Sequence, residues 1–373
     1  MGLSKIRLGD YIVRSTINNK DLRYGTDLIA GVNTTGVFTE PKGNTDGVDL
    51  RPYKIVQNGA FVYNPTRLDL GSVAYRTEGL CIVSHLYMVF YLTEEGKKII
   101  NPQYLYIYFR RKEFCREVTF RNFGSQRPEF NFEDMSDIVV PLPPLSIQQK
   151  YVDVYNAMLA NQQSYERGLE DLKLTCDAYI EELRKEYPCE KIGPYITRHD
   201  RRNGPNGTKN VMGISVYKEF REPTSKVNRD ELANYKIVQP HEFGFVQTTH
   251  NEKVFAYALN TTDEDIVISS VNEVFSTDES QLLPEYLAMF FNRAEFDRYA
   301  RFHSWGSARE TFTWADLIDV EIPVVDISIQ RSIADIYTVY KIRKEINEKL
   351  KAQIKDICPI LIKGSIEEAR KEA

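Results

Sequence analysis

The stretch that decides the fold is Pro102–Gln148, PQYLYIYFRRKEFCREVTFRNFGSQRPEFNFEDMSDIVVPLPPLSIQ. It returns 182 residues later as Pro284–Gln330, PEYLAMFFNRAEFDRYARFHSWGSARETFTWADLIDVEIPVVDISIQ. Nineteen of the 47 ungapped positions are identical, where random pairing gives about three. The identities include Tyr104/Tyr286, Phe109/Phe291, Arg111/Arg293, Gly124/Gly306, Ser125/Ser307, Arg127/Arg309, Asp134/Asp316 and Asp137/Asp319. The same offset joins Tyr53–Gln57 (YKIVQ) to Tyr235–Gln239, and Gly31, Phe38, Glu40 and Pro41 to Gly213, Phe220, Glu222 and Pro223. One unit is written twice.

Each copy has the same internal order: a strand-like part, a Pro-bearing junction, then a long run of helical periodicity. In the first copy the junction is Pro141-Leu142-Pro143-Pro144, followed by Ile147, Tyr151, Val154, Tyr155, Met158, Tyr165, Leu169, Leu172 and Leu183. In the second, Pro323 precedes Ile329, Ile333, Ile336, Tyr340, Ile346, Leu350, Ile354 and Ile357. Apolar residues every three to four positions predict two helices of about 40 residues, each roughly 60 Å long at the α-helical rise. Stripes of that length need a partner of equal length, and the obvious one is the other helix. Charge agrees: residues 146–187 carry 5 basic and 8 acidic side chains, whereas 328–373 carry 10 and 7, so the flanks are complementary. The alternative is that each helix packs on its own globular part. Short β-rich runs such as Tyr53–Val56, Ile82–Ser84, Ile237–Val238 and Asp265–Ser269 mark the globular parts as α+β with curved, mixed or antiparallel sheets. Pro102 and Pro284 are each placed to open a helix, where the missing N–H is harmless. The expected division is 1–145, 146–187, 188–327 and 328–373, with the second and fourth segments forming an antiparallel coiled coil.

Several function classes are disfavoured. The 373 residues exceed one ordinary core, and 42% hydrophobic content is too high for a disordered chain. No segment reaches the ~18 apolar residues of a membrane span, and the N-terminus has no signal-peptide core, so a cytoplasmic protein is expected. Five scattered cysteines and five histidines show neither a disulfide framework nor metal-ligand spacing. No G-x-G-x-x-G turn or G-K-[ST] loop follows a strand. Asn101-Pro102-Gln103-Tyr104 is similar to the N-P-P-Y loop of amino-methyltransferases. Its repeat partner, however, is Leu283-Pro284-Glu285-Tyr286, and only the helix-opening Pro and the Tyr persist. A non-catalytic chain that binds no metal or cofactor of its own is expected.

The net charge of −5 argues against diffuse nucleic-acid binding, but the distribution is uneven. Arg110, Arg111, Lys112, Arg116, Arg121 and Arg127 crowd 18 residues and alternate with Phe109, Phe114, Phe120 and Phe123. The second copy repeats this more weakly with Arg293, Arg298, Arg301, His303, Trp305 and Arg309. Beside these cations, Gly124-Ser125 and Gly306-Ser307 would let backbone approach a phosphate. A solvated helix face over core aromatics explains the same pattern. A second basic loop, Arg198, Arg201 and Arg202 through Lys209, opens the second copy where the first has Arg14–Tyr24. Loops that differ between matching units suit different base readout, and an idle surface loop fits equally.

At Tyr53–Arg67 (YKIVQNGAFVYNPTR) with Gly71-Ser72, the sequence resembles the target recognition domains of type I restriction-modification specificity subunits. Phe123–Arg127 with Asp134, and Ile138–Gln149 (IVVPLPPLSIQQ), resemble that family's G-S…D junction and helix start. The likeness runs through both halves. In the second copy Pro323–Ile327 has lost P-L-P-P, and Gln247–His250 replaces Asn-Pro-x-Arg. The resemblance implies two target recognition domains held by an antiparallel coiled coil with pseudo-two-fold symmetry, each reading half of a bipartite double-stranded DNA target. It implies two methyltransferase and two restriction subunits as partners, with S-adenosylmethionine, ATP and Mg on those partners. Candidate DNA contacts are then Arg67, Arg110, Arg111, Arg121, Gly124, Ser125 and Arg127 in the first copy. In the second they are Arg198, Arg201, Arg202, Arg301, His303, Gly306, Ser307 and Arg309. Candidate partner contacts on the helices are Ile147, Tyr151, Val154, Ile329, Ile333 and Ile336. The alternatives are a coiled-coil scaffold that binds proteins at its globular ends, and a recognition subunit of a related modification system without restriction subunits.

Overall fold

The computed structural model describes residues 3–41, 43–122, 129–224, 226–248, 254–306 and 310–372. The chain forms two compact units: Met1–Gln163 with Glu348–Ala373, and Ser164–Asn347. Each of the two long helices, Leu145–Glu186 and Ile327–Lys371, contributes residues to both units.

In the first unit a four-stranded sheet runs in the order Ile12–Arg14, Met88–Leu92, Phe61–Tyr63, Val73–Tyr75. Lys54–Val56 pairs with Cys81–Val83, and Ser4–Arg7 with Val139–Leu142. The second unit repeats the plan: Ile196–His199, Glu273–Thr277, Phe243–Phe245, Tyr257–Leu259, with Lys236–Val238 on Ile266–Ile268 and Cys189–Lys191 on Glu321–Pro323. Among the described residues every paired strand is antiparallel, and the parallel contacts are isolated bridges at Ile29/Ile82 and Val211/Val267. These strands are three to five residues of mostly β-branched and aromatic side chains, which suit a short, pleated, half-buried ribbon.

Aromatic rings join sheet to helix in the same way twice. Phe61 stacks on Phe90 with centroids 5.0 Å apart and meets Phe109 edge-on at 6.0 Å. Phe243 stacks on Phe275 at 4.7 Å and meets Phe291 edge-on at 6.2 Å. Phe109 and Phe291 end the helices that Pro102 and Pro284 open, so the expected starts are realised, with Asn101 capping the first through its side chain. The repeated aspartates have a local cause. Asp134 with Asn131, and Asp316 with Thr313, close reciprocal capping boxes on the short helices Phe132–Ser136 and Trp314–Ile318. Asp137 and Asp319 pin the unit's first strand through Arg7 and Lys191.

The correspondence is not one fixed offset. It is 182 at Phe61/Phe243, 184 at Val73/Tyr257, 185 at Cys81/Ile266, and 182 again at Pro102/Pro284. The second copy has two extra residues in the segment after Phe245, where the first copy places its Asn-Pro-x-Arg turn.

Within each unit the long helices run antiparallel. In the first, Tyr151 donates its hydroxyl to Glu368, Lys150 pairs with the same carboxylate at 2.8 Å, and Val152 and Tyr155 share a core with Cys358, Leu361 and Ile362. In the second, Cys176, Ile180 and Leu183 share a core with Ile333 and Tyr337. Each helix therefore packs on its own globular part and on the other helix, so the two alternatives weighed from sequence coexist. Pro359 lies inside the second helix. It forfeits one backbone bond, and its buried neighbours Cys358, Leu361 and Ile362 hold the segment in place.

Candidate nucleic-acid interface

In the first unit the motif Asn64-Pro65-Thr66-Arg67 leaves the strand Phe61–Tyr63 as a tight turn. Asn64 Oδ1 accepts the Thr66 N–H at 3.0 Å and the Thr66 hydroxyl at 2.9 Å, an Asx turn. The backbone of Arg67 is tied on both sides, its N–H to Asn64 O at 3.1 Å and its carbonyl to the Ser72 N–H at 3.1 Å. Its side chain stays exposed, with no protein partner among the described residues. Gly71 and Ser72 are structural. Gly71 has φ +91°, and a Cβ there would sit 3.0 Å from Thr34 O. Ser72 is fully buried and donates its hydroxyl to Val32 O at 2.9 Å. Arg67, Asn64 and Thr66 border a cleft of about 620 Å³ whose walls include Tyr53, Tyr87, Asn33 and Glu40.

Arg110, Arg111 and Arg121, the other candidate cations described in this unit, are engaged. Arg110 donates to the carbonyls of Thr34 and Gly71 and so holds the Gly71 turn. Arg111 stacks on Tyr108 at 3.8 Å and donates to its carbonyl at 3.0 Å. Arg121 forms an i,i+4 pair with Glu117 at 2.9 Å. Gly124, Ser125 and Arg127 lie outside the described residues, as do Ser307 and Arg309.

In the second unit the loop expected to read bases is an ion-pair network. Arg198 donates to both oxygens of Glu273 at 2.8 and 2.6 Å, and Lys236 approaches the same carboxylate at 3.4 Å. Arg201 grips Glu242, and Arg202 pairs with Asp200 at 2.7 Å. Glu273, Glu242 and Lys236 are buried, whereas the side chains of Arg198, Arg201 and Arg202 stay 36–48% exposed, so these cations are neutralised by carboxylates of their own domain while still reaching its surface. Burial holds the His199 imidazole below its usual range, against the pull of the Glu242 carboxylate. The network was hidden in the sequence because Glu273 lies 75 residues from Arg198 and Glu242 lies 41 from Arg201. Arg301 pairs with Glu310 at 2.8 Å, and His303 lies against Tyr299 with ring centroids 4.3 Å apart. Gly306, with φ +144°, follows Trp305, which is 75% exposed.

The helix residues divide by exposure. Ile147 and Ile333 are buried, Ile329 and Ile336 pack half-buried on the core of the second unit, and Tyr151 is bound to Glu368. Val154 is 46% exposed. Exposed apolar side chains that the stripe reading passed over include Leu174, Val339, Ile342 and Ile360. Burial pushes the thiols of Cys176 and Cys358 up to about 11, which removes them as nucleophiles. Among the described residues no helix is long and apolar enough to cross a membrane.

The fold is a duplicated α+β unit whose first copy presents an exposed basic turn at Asn64–Arg67. Residues 8–171 match the family model described as type I restriction modification DNA specificity domain, and the second copy repeats that unit. Residues 8–171 thus carry a type I restriction-modification DNA specificity domain, the non-catalytic DNA-recognition part of such a system. Among solved structures, the S subunit of the type I system of M. genitalium is 9% identical, with 98% of this chain and 96% of that chain covered and a TM-score of 0.60. That likeness extends the shared fold over nearly the full length. The HsdS subunit of Thermoanaerobacter tengcongensis is 15% identical, covering 100% of this chain and 97% of that one, with a TM-score of 0.45. A chain from a structure on complex assembly and conformational transition of the type I R-M system is 14% identical over 97% of each, with a TM-score of 0.47. No curated protein matches the chain.

Proposed function

We propose that each compact unit reads one half of a bipartite DNA target and that the two long helices carry the methyltransferase subunits. The observation behind this reading is a common frame with divergent surfaces. The sheets, stacked rings and capping boxes are repeated, whereas the Asn64–Arg67 turn and the Arg198–Arg202 loop differ from their counterparts. A repeated frame gives two like reading positions, and different side chains on it give two different half-sites. On this reading the target is asymmetric and its unread centre is set by the helices. Two methyltransferase subunits with S-adenosylmethionine, and two restriction subunits with ATP and Mg, supply the chemistry in the cytoplasm. The division used for the test is 1–145, 146–187, 188–327 and 328–373. Replacing residues 1–145 with the corresponding domain of another family member should change one half of the methylated motif and leave the other intact. Change in both halves, or in neither, would remove the modular reading.

A further inference from the structure

The two units can be compared residue by residue once strand register replaces sequence offset. Arg14 pairs opposite Phe90, and Arg198 opposite Phe275. Phe90 and Phe275 are equivalent, each stacking on the central-strand phenylalanine, Phe61 or Phe243. Arg14 is therefore the counterpart of Arg198, and Lys54, opposite Val83, is the counterpart of Lys236, opposite Ile268. The position of Glu273, opposite Phe245, is filled in the first unit by Met88, opposite Tyr63.

That one difference changes the electrostatics. In the second unit Glu273 accepts from Arg198, Lys236 and Gln247, and the cations are neutralised. In the first unit Met88 stands at that position and supplies no carboxylate. Lys54 donates to the Tyr87 carbonyl and its ammonium is held below the ordinary range, first by burial and then by the charge of Arg14. Arg14 is exposed, and among the described residues no hydrogen bond or ion pair engages its guanidinium. Tyr87 also lines the cleft that Arg67 borders.

We infer that Arg14 and Lys54 form a phosphate site for the DNA backbone in the first unit, and that the second unit has closed the equivalent site with Glu273. This rests on the DNA-recognition reading above. An exposed arginine with all its donors free beside a lysine takes a phosphate oxygen readily, and such a contact positions the duplex without reading sequence. The two units then differ in how they hold DNA as well as in what they read.

The test is the salt dependence of binding of a mixed-sequence DNA duplex by the full chain assembled with its methyltransferase subunit. Arg14→Ala, Lys54→Ala and Met88→Glu should each lower affinity and reduce the slope of log K against log salt by about one unit. Arg14→Lys, which keeps the charge, should retain most of the slope. Unchanged slopes in Arg14→Ala and Met88→Glu, with the wild type still salt-dependent, would overturn the phosphate site and leave DNA recognition standing. A wild-type assembly whose duplex binding ignores salt would overturn both.

Discussion

Gln330 Oε1 accepts the backbone N–H of Leu283 at 2.9 Å, and Gln148 Oε1 stands in the same relation to Asn101 at 2.8 Å. Both amides are fully buried, and both spend their N–H donors on two carbonyls: Val325 and Gln281 for Gln330, Pro143 and Ile99 for Gln148. One side chain thus ties the start of each long helix to the entry of the helix behind the sheet. Gln148→Ala or Gln330→Ala strands three buried backbone groups, and each should destabilise its own unit by about 1–3 kcal/mol in urea unfolding. Gln→Glu should be worse, since a carboxylate would face two carbonyls. A Gln330→Ala chain as stable as the wild type would show that the clamp holds nothing.

Arg67 is exposed on a turn whose backbone is tied from both sides. Arg67→Ala should therefore leave the melting temperature unchanged while weakening DNA binding by the assembled complex. A base-edge contact predicts a loss of roughly 1–3 kcal/mol that depends on the bases of one half-site. Equal affinity for cognate DNA would take Arg67 out of the interface.

The ion pairs of the second unit act on folding first. Glu273→Ala leaves the buried ammonium of Lys236 with only the exposed carboxylate of Asp200, 3.3 Å away, and takes both acceptors from Arg198, and should cost about 3 kcal/mol. Equilibrium unfolding measures this directly. A loss below about 1 kcal/mol, the scale of an exposed pair, would mean that Asp200 alone satisfies Lys236.

Acid should loosen the same unit. The buried guanidinium of Arg293 donates to Glu181 and holds its carboxyl below the usual range. A depressed folded pKa gives stability that is present above the unfolded value near 4.5 and is lost as pH falls through the folded value. Melting temperature should fall below that pH, and Arg293→Ala should flatten the fall. An equally steep fall in Arg293→Ala would place the acid sensitivity elsewhere.

Helix docking is tested by contrast. Val154→Asp, on an exposed position, should weaken methyltransferase binding in pull-down without lowering the melting temperature. Ile333→Asp, at a buried position, should unfold the second unit. Intact assembly with Val154→Asp would move the docking face, with exposed Val339 and Ile342 next in line.

Much of the frame was legible in the residues because it is local or repeated. Pro102 and Pro284 open helices, the Asp134 and Asp316 identities are capping boxes, and the apolar stripes are the two long helices. Side chains whose partners are distant in sequence were not legible. Arg198 and Arg201 read as free cations until Glu273 and Glu242 closed on them through tertiary pairing. Arg14 opens the loop matched to Arg198–Lys209, but its lack of a carboxylate partner was not legible, because it depends on Met88 standing where the second copy has Glu273. The Gly-Ser-x-Arg loops at 124–127 and 306–309 fall wholly or mostly outside the described residues, and their role stays a proposal with Arg127→Ala and Arg309→Ala as its probes.

The most direct measurement is the methylation pattern of DNA from cells that carry this chain together with its methyltransferase. Two recognition units on one chain require an interrupted motif: two short specified half-sites, unlike each other, separated by an unread spacer of fixed length, and absent from cells lacking the chain. A continuous motif, or methylation that persists unchanged without the chain, would contradict the account.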